Sequence, residues 1–197
     1  MRIIPATGAV AVVAALLLSG CAADQWAEQN SERGDRAYVS EDGSISEFAS
    51  SERGKPIVFE GATDTGLTVS SDDYGGEVLV VNFWYAACAP CRVEAPDLAA
   101  LSARYQGAGA SFLGVNVYDQ AETSLAFARK FDIAYPSIID ANSGTVRLAF
   151  ADYAPPSAVP TTLVLDKQGR VAARFLGLIK SPSMLDTIIG DLIAEDL

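Results

Sequence analysis

Histidine is absent from this 197-residue chain. Without imidazole, Ser-His-Asp and Cys-His catalysis have no base, and zinc or copper sites lose their commonest nitrogen ligand. Positive charge is also scarce: 14 lysines and arginines stand against 25 acidic residues, a net charge of −11. Nucleic-acid binding needs a basic face. We therefore expect no nucleic-acid partner, no metal and no cofactor, and proton transfer by carboxylates, thiols, tyrosines or water.

Cysteine is almost as rare, with three in the chain, and two of them form the motif Cys88-Ala89-Pro90-Cys91. The motif directly follows Val78–Trp84, an apolar run that predicts a strand buried on both faces. Pro90 favours the first turn of a helix. Unpaired N–H groups and partial positive charge at a helix N-terminus stabilise a thiolate, the form that attacks disulfides. The motif therefore predicts dithiol–disulfide exchange.

The spacing of the two cysteines predicts their roles. Residues three apart share a helix face, so Cys88 should lie at the exposed helix edge and attack, while Cys91 lies one turn further in and resolves the mixed disulfide. Glu94 is three residues beyond Cys91 and is a candidate to take its proton. A solvent-facing glutamate that complements the helix dipole is the alternative, and the sequence leaves both open.

The N-terminus predicts an export signal over residues 1–20. Arg2 precedes an apolar stretch that is too short and too interrupted for a permanent membrane span. The sequence Leu18-Ser19-Gly20-Cys21 resembles the bacterial lipoprotein box, in which the chain is cut before the cysteine and Cys21 receives diacylglycerol. A plain secreted protein with a stray thiol, or an uncleaved anchor, are the alternatives. Export would bring the other two cysteines to a compartment where disulfides persist.

The remaining chain divides by composition. Residues 21–55 are acidic and polar, which predicts a flexible tether. Residues 56–197 predict one α/β domain that opens with a β-hairpin at 57–59 and 67–69. The predicted element order after the hairpin is β-α-β-α followed by β-β-α. This order favours a mixed central sheet with helices on both faces.

Several motifs resemble the thioredoxin superfamily, particularly its membrane-tethered TlpA/ResA-like thiol-disulfide oxidoreductases: Asn82-Phe83-Trp84, the CxxC, Glu94-Ala95-Pro96 and Val159-Pro160-Thr161-Thr162. The resemblance implies a thioredoxin-like fold and a cis Val159–Pro160 peptide bond beside the cysteines. It further implies that the backbone of Val159 pairs with a substrate strand and that Pro160 keeps metal away from the thiols. Two residues depart from the pattern. Asn82 stands where cytosolic thioredoxins have aspartate, and Ala87 where the family usually has tryptophan.

The resemblance implies a lipid-anchored, extracytoplasmic enzyme that reduces disulfides in exported proteins. One such substrate is the CxxCH segment of apocytochrome c, and a membrane redox partner would recycle the pair. Two alternatives stay open. The same chemistry can run backwards, as in DsbE/DsbA-like oxidants, or the chain can be a non-catalytic binding lipoprotein whose disulfide is structural. A peroxidase is disfavoured, because the chain has no PxxxTxxC-like arrangement.

Overall fold

The computed structural model describes residues 38–155 and 157–195. The predicted signal at 1–20, Cys21 and the tether up to residue 37 lie outside the described residues. In the part that is described, no helix combines the length and apolar character needed to cross a bilayer.

A seven-stranded mixed sheet organises the described residues, with strand order β1-β2-β9-β8-β5-β6-β7. Strands β5, β6 and β7 are parallel, whereas β8, β9, β2 and β1 continue the sheet in antiparallel pairs. A separate two-stranded sheet is formed by β3 and β4. The strands are β1 Tyr38–Val39, β2 Ile45–Glu47, β3 Glu60–Ala62, β4 Thr68–Ser70, β5 Val78–Trp84, β6 Ala110–Asn116, β7 Ser137–Ile139, β8 Thr161–Leu165 and β9 Val171–Leu176.

Four α-helices accompany these strands in the described ranges: α1 Ala89–Tyr105, α2 Ala121–Phe131, α3 Thr145–Ala149 and α4 Pro182–Ala194. A single 3-10 turn at Ser71–Tyr74 follows β4. Helices α1 and α4 pack on one face of the sheet and α3 on the other. The predicted mixed sheet with helices on both faces is confirmed.

Strand β5 is the centre of the core. All seven of its residues are buried. Alternate side chains point to opposite faces of a sheet. Val78 and Val80 accordingly join the α1–α4 side, while Leu79 and Val81 join the opposite side with Phe150. This burial on both faces follows from the continuous apolar run and holds the end of β5, where the cysteines follow, in a fixed place.

The predicted N-terminal hairpin exists, and its strands lie further along the chain than predicted, as β3 and β4. Thr63, just after β3, forms a bridge to Ile138 of β7. A Cβ on Gly61 would lie 2.5 Å from Cγ2 of Ile138, so only glycine permits this approach. The hairpin therefore covers the outer edge of β7.

The structure differs from the predicted tether over residues 38–55. Strand β2 pairs with β9, with Ile45 opposite Phe175. The Arg53 side chain is 5% exposed and forms ion pairs with Asp166 and Glu195. Strands of two or three residues carry too little hydrophobic periodicity to be detected, and here the hydrogen bonds and ion pairs come from distant parts of the chain. The folded part therefore begins before residue 56.

Candidate active site

The two cysteines lie where β5 gives way to α1. A tight turn follows Trp84 and is closed by a hydrogen bond of 3.2 Å from the N–H of Cys88 to the carbonyl of Tyr85. Helix α1 then begins, with Cys88 as its N-cap and Sγ of Cys88 accepting the N–H of Cys91 at 3.2 Å. The sulfur therefore satisfies one of the N–H groups that a helix start leaves unpaired. The same donor and the helix dipole would stabilise a thiolate at Cys88.

Cys88 and Cys91 form a disulfide, with their Cα atoms 5.3 Å apart. The predicted difference in exposure is not seen in this oxidised form: Cys88 is 3% exposed and Cys91 2%. Both belong to an apolar cluster with Trp84 and Phe127. Ala87 and Ala89, on either side of Cys88, are exposed. Cys88 therefore lies directly beneath the surface, covered by its bonded sulfur and the surrounding cluster.

Glu94 is buried, with 1% of its surface exposed. The solvent-facing alternative for this residue is therefore wrong. Oε1 accepts a hydrogen bond from Nδ2 of Asn82 at 2.9 Å, and Oε2 accepts the N–H of Ile179 at 3.2 Å. Burial raises the pKa of Glu94 to about 7, and the two hydrogen bonds oppose that rise without cancelling it. A carboxyl group with such a pKa gains and loses a proton near neutral pH.

Asn82 connects the glutamate to the sheet. It lies on β5 opposite Thr162 of β8, and its Nδ2 also donates to Oγ1 of Thr162 at 3.0 Å. An amide holds Glu94 in place without competing for its proton. Asn82 and Cys91 also line a small cavity of about 10 Å³ with Tyr135. Burial, and then the charge of Glu94, raise the pKa of Tyr135.

The proline loop stands beside the cysteines, as the resemblance implied. The Val159–Pro160 peptide bond is cis, and strand β8 begins at the next residue. Val159 is partly buried and packs against the cluster that contains Cys88 and Cys91. The structure thus places Val159 against Cys88 and Cys91, with Pro160 next to Val159 in the chain and Glu94 three residues beyond Cys91 on α1. Cys21 lies outside the described residues.

The loop after β6 contacts Tyr85 and Ala86, the two residues before Ala87. Tyr85 makes an edge-to-face contact with Tyr118, with ring centroids 5.0 Å apart. Oδ2 of Asp119 accepts the N–H of Ala86 at 2.6 Å. Sequence reasoning missed Asp119: an aspartate after a strand is typical of a turn, and nothing in the sequence pairs it with Ala86.

Metal binding has no support in the described residues, where no three histidine, cysteine, aspartate or glutamate side chains group closely enough to hold an ion. The arrangement instead offers a disulfide at a helix start, a buried carboxyl group and a proline loop. A cysteine pair of this kind can carry out thiol–disulfide exchange, and the buried carboxyl group can move a proton beside it.

Solved structures with similar folds include a protein named for thiol–disulfide chemistry. The chain has a TM-score of 0.71 and 32% identity to a secreted thiol-disulfide isomerase from Corynebacterium glutamicum, covering 81% of this chain and 98% of that one. A DsbF homologue from Corynebacterium diphtheriae gives a TM-score of 0.67 and 33% identity, covering 80% of this chain and 99% of the other. The predicted thioredoxin-like fold is confirmed.

Among curated proteins, the thiol-disulfide oxidoreductase ResA of Geobacillus thermodenitrificans is 32% identical over 99 residues, which is 50% of this chain and 54% of ResA. The chain thus spans about half the length of this relative. The sequence model of the AhpC/TSA family matches residues 54–174, more than half of the chain. With the CxxC, the proline loop and the fold in agreement, the chain belongs to the AhpC/TSA family, among relatives that include thiol-disulfide oxidoreductases.

Proposed function

We propose that this protein is an extracytoplasmic thiol-disulfide oxidoreductase that reduces disulfides in exported proteins through Cys88 and Cys91. The observation that carries the proposal is the Cys88–Cys91 disulfide at the start of α1, with the N–H of Cys91 directed at Sγ of Cys88. The buried Glu94 three residues further on, with its pKa raised to about 7, supplies the group that such chemistry needs to move a proton.

In the first step, the reduced protein uses the Cys88 thiolate to attack one sulfur of a substrate disulfide. A bond forms between Sγ of Cys88 and that sulfur, while the substrate disulfide breaks. The second substrate sulfur leaves as a thiolate and takes up a proton. The helix-start N–H groups favour the Cys88 thiolate before the attack, and the result is a mixed disulfide.

In the second step, Cys91 resolves the mixed disulfide. Glu94 accepts the proton of the Cys91 thiol, and the resulting thiolate attacks Sγ of Cys88. The Cys88–Cys91 bond forms and the substrate leaves with its second thiol. The substrate has gained two electrons and two protons, and the protein is left in the oxidised form described above. A membrane redox partner would return two electrons to the pair.

Substrate binding is assigned to the proline loop. Val159 packs against the cysteine cluster, so an extended substrate segment paired with its backbone would bring a substrate sulfur close to Cys88. Pro160 offers no N–H and keeps metal ions away from the sulfurs. Substrates would be exported proteins, including the CxxCH segment of apocytochrome c, and a diacylglycerol on Cys21 would hold the protein at the membrane surface.

The test uses the full chain reduced with dithiothreitol and an oxidised CxxCH peptide. We expect the peptide to be reduced at a rate proportional to protein concentration, with one Cys88–Cys91 disulfide formed for each peptide reduced. Cys21→Ser is the matched control, because it removes a thiol outside the proposed chemistry. Peptide reduction that survives in Cys88→Ser would overturn the proposal.

The reverse direction is a second candidate, because the Cys88–Cys91 disulfide can pass to a substrate by the same exchange steps run backwards. The reduction potential separates the two directions. A potential near that of thioredoxin, about −270 mV, favours reduction of substrates, whereas one near about −120 mV would make the protein an oxidant.

A structural disulfide is the third candidate, favoured by the 3% exposure of Cys88. Alkylation of the reduced protein decides this case. We expect iodoacetamide to modify Cys88 within minutes at neutral pH, since exposed residues flank it. If Cys88 resists the reagent after complete reduction, the disulfide is structural.

A further inference from the structure

An aspartate in the loop after β6 binds the turn that leads into Cys88. Ala86 lies inside the turn that the Cys88 N–H closes onto Tyr85. Its own N–H donates to Oδ2 of Asp119 at 2.6 Å. Ala86 packs against the cysteine cluster, whereas Ala87 is exposed, and neither side chain can form a hydrogen bond. The Asp119 carboxylate therefore provides a polar contact that the side chains of the turn lack.

Asp119 is itself rigidly placed. Its Oδ2 accepts Nδ2 of Asn116 at 3.0 Å, and its own N–H donates to Oδ1 of Asn116 at 2.7 Å. Asn116 ends β6 and is 0% exposed. Beside this contact, Tyr118 stacks edge-to-face on Tyr85. The loop from Asn116 to Asp119 thus contacts the turn at two points, through the Asp119 carboxylate and the Tyr118 ring.

We propose that Asp119 is a positioning residue for Cys88, whose carboxylate fixes the turn and whose negative charge opposes ionisation of the Cys88 thiol. The inference rests on the proposed thiol-disulfide exchange. Ala86 precedes Cys88 by two residues, so their Cα atoms are at most about 7 Å apart. A carboxylate bound to Ala86 places a negative charge close to the helix start and offsets part of the stabilisation that the helix start gives a thiolate.

The other groups around Cys88 do not duplicate this charge. Helix α1 contributes Cys91, the exposed Arg92 and the buried Glu94, and Tyr85 and Tyr118 are the nearby phenols. The rest of the cluster is apolar: Phe127 and Phe131 come from α2, and Val159 from the proline loop. Asp119 is the carboxylate that contacts the turn, whereas Glu94 hydrogen-bonds to Asn82 and Ile179.

The test measures the pH dependence of Cys88 alkylation in the full, reduced chain, with the labelled peptide resolved by mass spectrometry so that Cys21 and Cys91 do not interfere. In Asp119→Asn the amide oxygen still accepts the Ala86 N–H while the charge is lost. The Cys88 pKa should fall by about 1.5 units, as for unit charges about 8 Å apart at the effective dielectric constant of about 20 that applies near a protein surface. Labelling below the pKa should then be about 30-fold faster.

Two further variants separate charge from anchoring. Asp119→Ala removes both, so we expect the same fall in pKa and a loss of about tenfold in peptide-exchange rate, with Asp119→Asn restoring most of that rate. Glu122, an exposed residue of α2, lies three residues after Asp119 and has no hydrogen bond to the turn among the described residues, so Glu122→Gln should leave the Cys88 pKa unchanged.

An unchanged Cys88 pKa in Asp119→Asn, an equal shift in Glu122→Gln, or full exchange by Asp119→Ala would each overturn the inference. Alkylation needs no protein substrate, so it reports on Asp119 even if the wild-type protein fails to reduce peptides. If Asp119→Asn shows the expected fall in Cys88 pKa but the wild type does not exchange with peptides, the proposed function is overturned and the charge effect stands.

Discussion

Glu94 and Asp166 are equally buried carboxylates at opposite ends of the sheet. Glu94 is 1% exposed and Asp166 2%. Asp166 follows β8 at the end away from the cysteines, where Arg53 and Arg170 form ion pairs with it at 3.1 and 2.7 Å. Glu94 forms no ion pair within the described residues, and its partners are the neutral donors Asn82 and Ile179.

The difference between these regions lies in the partners rather than in the burial. Cationic partners stabilise a buried carboxylate in its charged form and tie together the segments that carry them. Neutral donors offset less of the free-energy cost of burying the charged form, so the pKa of Glu94 rises to about 7. The Asp166 region is therefore suited to stability and the Glu94 region to proton transfer, and substitutions should separate the two properties.

The largest expected effect is at the cysteines. Cys88→Ser should lower the exchange rate by at least ~10³-fold, since it removes the nucleophile, while Cys91→Ser should trap mixed disulfides that gel electrophoresis without reductant detects. The reduced wild type and both variants all lack the Cys88–Cys91 disulfide, so they should unfold at similar urea concentrations. Equal residual turnover in the two variants would contradict the assigned roles.

Asp166→Asn should show the opposite pattern. Weakening the pairs to the buried Arg53 and to Arg170 should cost about 3 kcal/mol of unfolding free energy, measured by urea denaturation. Peptide exchange at 25 °C should stay within about twofold of wild type, because the site lies at the other end of the sheet. A parallel loss of exchange and stability would contradict the assignment of stability to the Asp166 region and of proton transfer to the Glu94 region.

Glu94→Gln should change the pH profile of exchange. In the wild type, the rate should rise with pH through about 7, as Glu94 becomes the base for Cys91. In the variant this inflection should disappear, with a loss of about tenfold or more at pH 8. A profile identical to that of the wild type would remove Glu94 from the proton path.

The same substitution should change how stability depends on pH. The pKa of Glu94 is raised from 4.5 to about 7 on folding, so the native state holds its proton more tightly than the unfolded chain. The stabilisation is complete below pH 4.5 and is lost as pH rises through 7. The unfolding free energy of Glu94→Gln, measured relative to that of the wild type, should therefore rise by about 3 kcal/mol between pH 4 and pH 8. Urea titrations at the two pH values measure this difference.

The smallest effect belongs to a surface ion pair that lies in neither region. Arg104 on α1 pairs with Asp186 on α4, and its side chain is 63% exposed. Solvent screens such pairs, so Arg104→Ala should change the unfolding free energy by less than about 1 kcal/mol and leave exchange unchanged. A larger loss would mean that ion pairing stabilises this protein even at the surface.

The sequence was sufficient for the features that depend on local pattern. The apolar run of β5, the CxxC at a helix start and Pro90 in its first turn predicted the junction that the structure contains. The burial of Glu94 was left open because it depends on Asn82 twelve residues away and on Ile179 near the far end of the chain.

Other misses have the same physical origin. Cys88 was predicted to be exposed from its place on a helix, but the cluster that covers it includes Phe127 and Val159 from distant segments. Asp119 meets Ala86 only because β5 and β6 are neighbours in the sheet. Residues 45–47 form a strand because β9 offers an edge to them. Contacts between distant segments leave no periodic pattern in a single sequence.

Gly61 allows the hairpin to cover the β7 edge of the sheet. An uncovered outer strand exposes unpaired N–H and C=O groups to which another polypeptide can add a strand, but the hairpin closes this side through Thr63 and Ile138. A larger side chain at Gly61 would push the hairpin off Ile138 and free that row of groups. The absence of a side chain at Gly61 thus protects this edge of the molecule against chain-to-chain aggregation.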